Sequence, residues 1–128
     1  MLKELELIGL FLDLLLSNRK WKKIKKTNNI NCHVTANAVC RILNSLGYNA
    51  KVVCGIVDHK VKHSWIETNN SFIETDTRQI FPNEFSSPFV RMFSKDDEKY
   101  KRYEKLLVNY KTNEKIIEML YQDLLKAV

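Results

Sequence analysis

The spacing of apolar residues changes period twice along the chain. From Leu5 to Leu16 the run "LELIGLFLDLLL" is almost continuous, and Leu10, Leu14, Trp21 and Ile24 keep helical spacing beyond it. This predicts one helix over residues 2 to about 26, with an apolar stripe passing under polar neighbours. "TNNIN" (Thr27 to Asn31) interrupts it with turn-forming residues. A second helix is expected from Asn31 or Cys32 to Leu46. Ala36, Val39, Cys40, Leu43 and Leu46 form its apolar face, and His33, Asn37, Arg41, Asn44 and Ser45 its polar side. Asn31 is a natural N-cap and Gly47 a natural stop.

The period then shortens. "KVVCGIV" (Lys51 to Val57) reads as a central strand. "HSWIET" and "SFIETD" read as the two arms of a hairpin about Asn69-Asn70, a pair that tolerates the positive φ of a type I′ turn. In that register Ile66 meets Ile73, Trp65 meets Glu74, and His63 meets Asp76. Beyond Asp76 the chain is irregular, with Pro82 and Pro88. "SKDD" (Ser94 to Asp97) resembles a capping box. After it Tyr100, Tyr103, Leu107 and Tyr110 return to helical spacing, and Ile116, Ile117, Leu120, Tyr121, Leu124 and Leu125 mark a last helix. The order helix, helix, three strands, helix implies an α+β fold with a small antiparallel sheet.

Length bounds this to one domain: 128 residues suit a single core. The reading is a core over about 27–80, with helical additions at 1–26 and 94–128. The N-terminal apolar run is too short to span a membrane, which takes about 20 residues. Three cysteines without framework spacing argue against a disulfide-built secreted module. A reducing, cytoplasmic setting is therefore expected.

Charge adds one local feature. "NRKWKKIKK" (Asn18 to Lys26) holds Arg19, Lys20, Lys22, Lys23, Lys25 and Lys26 and no acid. These six account for the whole excess of 21 basic over 15 acidic residues. Residues 19–26 are thus a candidate surface for nucleic acid or an acidic protein partner. A solvated helix face would carry the same residues.

The hairpin and the second helix carry the candidate chemistry. Residues directly opposed across a hairpin share a face, with Cβ atoms roughly 5 Å apart. Asp76 can then fix one nitrogen of His63 and leave the other free. An exposed ion pair would use the same two residues and stabilise little. Cys32 opens the second helix, where the helix dipole favours a thiolate. Packed across the sheet, it gives Cys32, His63 and Asp76 the roles of nucleophile, base and orienting acid. Cys40 and Cys54 read as core residues. His33 and His59 are rival bases, the first expected on the polar side of its helix and the second in a loop. The three Cys and three His show no C-x-x-C, and His59 and His63 straddle a loop and a strand. Neither a metal nor a cofactor is expected.

The ordered pieces "NCHVTANAVCRILNSLGYNAKVVCGIV", "HSWIE" and "FIETDT" resemble the transglutaminase-like branch of the papain-like cysteine enzymes. Cys32, Gly47, Gly55, His63, Trp65, Glu67 and Asp76 occupy the family's positions, over about residues 31 to 77. The short Cys-to-His interval is similar to that of the leader peptidases that process lasso peptides. Where the family often has Asp-Pro-Thr, Asp76 is followed directly by Thr77. The resemblance implies a Cys-bearing helix packed on the sheet and thiol-dependent acyl transfer on a peptide or protein substrate, with hydrolysis favoured over amine transfer. The Cys32 backbone N–H is one oxyanion donor. A second, among Asn28, Asn29 and Trp21, stays open, as does oligomeric state. The alternative is a non-catalytic binding module of the same fold that works through its basic patch.

Overall fold

The structure, a computed structural model, describes residues 1–84 and 90–128. It is α+β, with helices against one face of a five-stranded sheet of order β4-β3-β2-β1-β5, antiparallel throughout. The strands are β1 (Lys51–Val57), β2 (Val61–Glu67), β3 (Ser71–Glu74), β4 (Arg91–Ser94) and β5 (Tyr103–Lys105). The helices are α1 (Leu2–Ser17), α2 (Arg19–Thr27), α3 (Cys32–Ser45), the short α4 (Thr77–Ile80) and α5 (Glu114–Leu124).

The expected single N-terminal helix is two. Asn18 is extended, at φ −77° and ψ 166°, and its side chain accepts from Trp21 N–H, so it ends α1 and caps α2. The expected stripe holds only in its second half: Trp21 and Ile24 pack into the core, but Leu10 and Leu14 are 50% and 68% exposed, while α1 buries the adjacent row Leu5, Ile8, Leu12 and Leu15. The break lets Trp21 sink fully into the core, where its Nε1 donates to Asp123 on α5 at 2.8 Å. No described helix is long and apolar enough to cross a membrane.

Helix α3 follows the expected caps. Asn31 accepts from His33 and Val34 N–H, and Gly47 lies at φ 96°. Its buried face packs on α5, capped by Asn113, and on β2. Val52, Ile66, Ile73 and Met92 supply the sheet side of that core.

Pairing of Ile66 with Ile73 matches the expected hairpin register, but the turn does not match. Asn69 and Asn70 are not among the residues with positive φ. Among the described residues other than glycine, those are Asp58 and His59, at 55° and 61°, in the β1–β2 turn. At the Asn pair, Ser71 N–H instead donates to Thr68 Oγ1. The segment after Asp97 also departs from expectation. Glu98–Arg102 is a 3-10 turn and Tyr103–Lys105 is β5, so part of the expected C-terminal helical addition completes the sheet. Pro88, read as part of an irregular stretch, lies outside the described residues.

The face away from α3 is aromatic. Val57, Trp65, Phe72, Ile80, Phe81 and Tyr103 form a second buried cluster. Glu67 anchors it: the carboxylate is 1% exposed and accepts from Trp65 Nε1 at 2.9 Å and Tyr100 hydroxyl at 2.7 Å. Lys95 and Lys105 reach its other oxygen at 3.2 and 2.8 Å. Burial alone would raise its pKa. Lys105, the Trp65 and Tyr100 donors and Lys95 reverse that and hold it below the usual carboxylate range.

Candidate active site

The β2–β3 ladder covers only Ile66/Ile73 and Glu67/Phe72. Towards the start of β2 the strands part, and the first turn of α3 sits at that opening. Thr35 Oγ1 is 3.0 Å from Thr75 Oγ1, just past the end of β3. Two consecutive helix residues then reach two consecutive residues of β2. Cys32 is near enough to His63 to raise its pKa, and His33 Nδ1 lies 2.6 Å from Ser64 Oγ. Neighbouring strand residues point to opposite faces. The helix start therefore meets β2 at its unpaired edge.

His63 is fully buried, and its Nε2 lies 2.8 and 2.9 Å from the two oxygens of Glu74. That leaves Nδ1, buried and without a hydrogen-bond partner among the described residues, as the nitrogen not held by Glu74. Burial works against a charged ring here. The Cys32 sulfur and the Glu74 carboxylate outweigh it and hold His63 protonated, its pKa pushed up to about 10. Glu74 is itself fixed. Its Oε1 accepts from Tyr103 hydroxyl at 2.7 Å and its Oε2 from Asp76 N–H at 3.0 Å. Burial and the adjacent Glu74 charge push the Tyr103 phenol upward, so it stays a donor.

This corrects the expected acid. Asp76 does not contact His63. Its carboxylate is 3.3 Å from Arg78 Nε, at the rim. The reason lies in the length of the strand. β3 ends at Glu74, so the position opposite His63 leaves the sheet before Asp76 can fill it. Glu74 is the diagonal neighbour, and one extra methylene carries its carboxylate to the ring. The signal was present in the sequence, in a register that sets Glu74 beside Trp65 on the face of His63.

His33 also differs from expectation. Its spacing predicts the polar side of the helix, but its Nδ1 is 3.8 Å from Cys32 Sγ as well as 2.6 Å from Ser64 Oγ. Burial, with His63 nearby, lowers its pKa, so the two imidazoles beside Cys32 are pushed in opposite directions. Tyr110 packs on the His33 ring and donates its hydroxyl to Gly55 carbonyl. Cys40 is buried in the core, its thiol pushed up to about 11 by burial. Cys54 is half-buried, 3.5 Å from Ser64 Oγ. His59 is 94% exposed in its turn. Among the described residues no group of three His, Cys, Asp or Glu side chains is placed to hold a metal ion.

Cys32 opens on a cleft of about 330 Å³ between the α1–α2 pair and the Thr75–Arg78 segment. The Cys32 N–H, at the first position of α3, has no acceptor among the described residues. Of the candidate second oxyanion donors, Trp21 Nε1 is committed to Asp123 and Asn28 Nδ2 to Ile24 carbonyl and Thr27. Asn29 is exposed. No family model matches the chain, and neither a curated protein nor a solved structure matches it.

Proposed function

We propose that this protein is a thiol-dependent acyl-transfer enzyme, most simply a cysteine peptidase or amidase of the transglutaminase-like, papain-like kind. The observation that carries this reading is the buried His63, gripped by Glu74 through Nε2 with its other nitrogen left to Cys32. A cationic ring beside a sulfur at a helix N-terminus is the arrangement in which thiols serve as nucleophiles. The placement of the Cys-bearing helix against an antiparallel sheet supports the same family, as does the order of the motifs.

In this scheme Cys32 Sγ attacks the carbonyl carbon, and the oxygen takes the negative charge beside the Cys32 N–H. His63 gives its proton to the amine nitrogen as the C–N bond breaks, leaving a thioester. Water then adds to the thioester, with His63 taking its proton, and release of the acid regenerates Cys32. An amine in place of water gives amide exchange. Glu74 holds the ring in position and stabilises its charge, and Tyr103 with the Asp76 N–H holds Glu74.

Alkylation tests this without a known substrate. Iodoacetamide at about pH 6 should label Cys32 ahead of Cys40 and Cys54, with peptide mass mapping as the readout. His63→Ala should slow labelling at Cys32. If Cys32 reacts no faster than the other two, or ignores His63→Ala, the enzyme reading falls and a non-catalytic module remains.

A further inference from the structure

The cleft in front of Cys32 also carries charge. Lys22 and Lys25, one helical turn apart on α2, line it with Asp13 on the facing part of α1 and with Asp76 and Arg78 across the opening. Asp76 and Arg78 face each other at 3.3 Å and largely cancel. Lys22 and Lys25 make no ion pair among the described residues, unlike Lys20, which is spent on Asp123 at 2.8 Å. Two ammonium groups and the positive end of the 14-residue α3 therefore stand against one carboxylate, Asp13.

We propose that Lys22 and Lys25 select a peptide substrate bearing a carboxylate close to the carbonyl that Cys32 attacks. The inference rests on Cys32 being the nucleophile. It turns part of the basic segment from a free surface into a specificity element of the site. Ammonium groups on flexible stems read charge rather than shape, so the carboxylate can belong to an acidic side chain or to a peptide C-terminus.

Two alkylating reagents of similar size and different charge separate this from the reading beneath it. Neutral iodoacetamide reports the reactivity of Cys32, and anionic iodoacetate reports the same sulfur and the field around it. In K22Q/K25Q the rate with iodoacetate should fall about tenfold at low salt, while the rate with iodoacetamide holds. Added salt should shrink the difference in the wild-type chain. If Cys32 reacts readily with iodoacetamide and the double variant leaves the ratio unchanged, the selection by lysines is wrong and the nucleophile stands. If Cys32 is inert to both, the nucleophile falls and this inference with it.

Protection experiments identify the source of the charge. Short blocked peptides should slow the labelling of Cys32 when they carry either an internal Glu or a free C-terminal carboxylate. The stronger protector of the two identifies the carboxylate that is read. A neutral, amidated peptide protecting equally well would overturn the proposal. So would stronger protection by a single-stranded oligonucleotide, which would give the lysines to nucleic acid.

Discussion

His63 and Glu74 are diagonal neighbours across the β2–β3 pair, with both carboxylate oxygens within 2.9 Å of the ring nitrogen. Asp76 sends only its backbone N–H to that carboxylate and keeps its side chain at the rim. The two acids are therefore separable. Glu74→Gln should slow iodoacetamide labelling of Cys32 at about pH 6 by about tenfold, because the ring loses the charge that keeps it cationic. Asp76→Asn should leave the rate within about twofold. Equal losses in both variants would return the orienting role to Asp76.

The protonated ring links stability to pH. His63 has a folded pKa of about 10, above its ordinary value of 6.5. Its contribution is complete below the unfolded pKa and disappears as pH rises through the folded one. In Cys32→Ala, where no ionisation of the neighbouring thiol can offset the ring's proton, unfolding free energy should fall between about pH 7 and pH 8.5 by on the order of 1 kcal/mol per pH unit. Cys40, pushed up to about 11, adds the same sign only at higher pH. Urea titrations across that window should show the slope, and Glu74→Gln should flatten it. A flat profile in Cys32→Ala would mean that His63 is neutral when folded.

Gly55 pairs with Lys105 across β1–β5 and sits opposite His63 across β1–β2. A Cβ there would overlap the Glu104 carbonyl and lie 2.7 Å from the Trp65 ring. Backbone cannot swing aside as a side chain does, so Gly55→Ala should displace β5. The cost should be about 3 kcal/mol in urea unfolding. An unperturbed midpoint would show that β5 docks less tightly than the geometry implies.

Of the basic segment, Lys22, Lys23, Lys25 and Lys26 are exposed and make no ion pair among the described residues, whereas Lys20 is tied to Asp123. Replacing those four by Gln should weaken retention on heparin at low salt, with the difference closing as salt rises. The melting temperature should hold within about 2 °C, since surface changes of this kind cost little. Lys20→Gln should instead lower stability, because buried Asp123 would keep only Trp21 Nε1 at that oxygen.

What the sequence made legible was local chemistry. The Asn31 cap, the Gly47 stop, strand β1 and the Ile66–Ile73 register follow from neighbours in the chain, and the structure has them. Tertiary packing decided the rest. Leu10 and Leu14 keep a helical period, yet so does the row beside them, and only the position of α5 and the sheet chooses which row is buried. Tyr100 and Tyr103 are spaced for a helix, but Glu67 and Glu74 capture their hydroxyls from the sheet and draw the chain out into a 3-10 turn and a strand. Of the candidate site, the nearness of Cys32 to His63 was legible. Its acid was missed because two alternating positions qualify, and the strand's end, one residue past Ile73, decides between them.

The phenol of Tyr103 has a further consequence, for the order in which the site is completed. Glu74 lies within the hairpin and next to the start of α3, all contributed by the first 76 residues. Its Tyr103 donor arrives only with β5, and Trp21 waits longer still for Asp123, 102 positions away. A nascent chain stopped ahead of Tyr103 would hold the sulfur, the imidazole and the carboxylate but lack a fixing donor and an edge of the sheet. Under the proposed mechanism, reactivity at Cys32 would be tied to a nearly finished fold, and a truncated or partly synthesised chain would be left without a fixed Glu74.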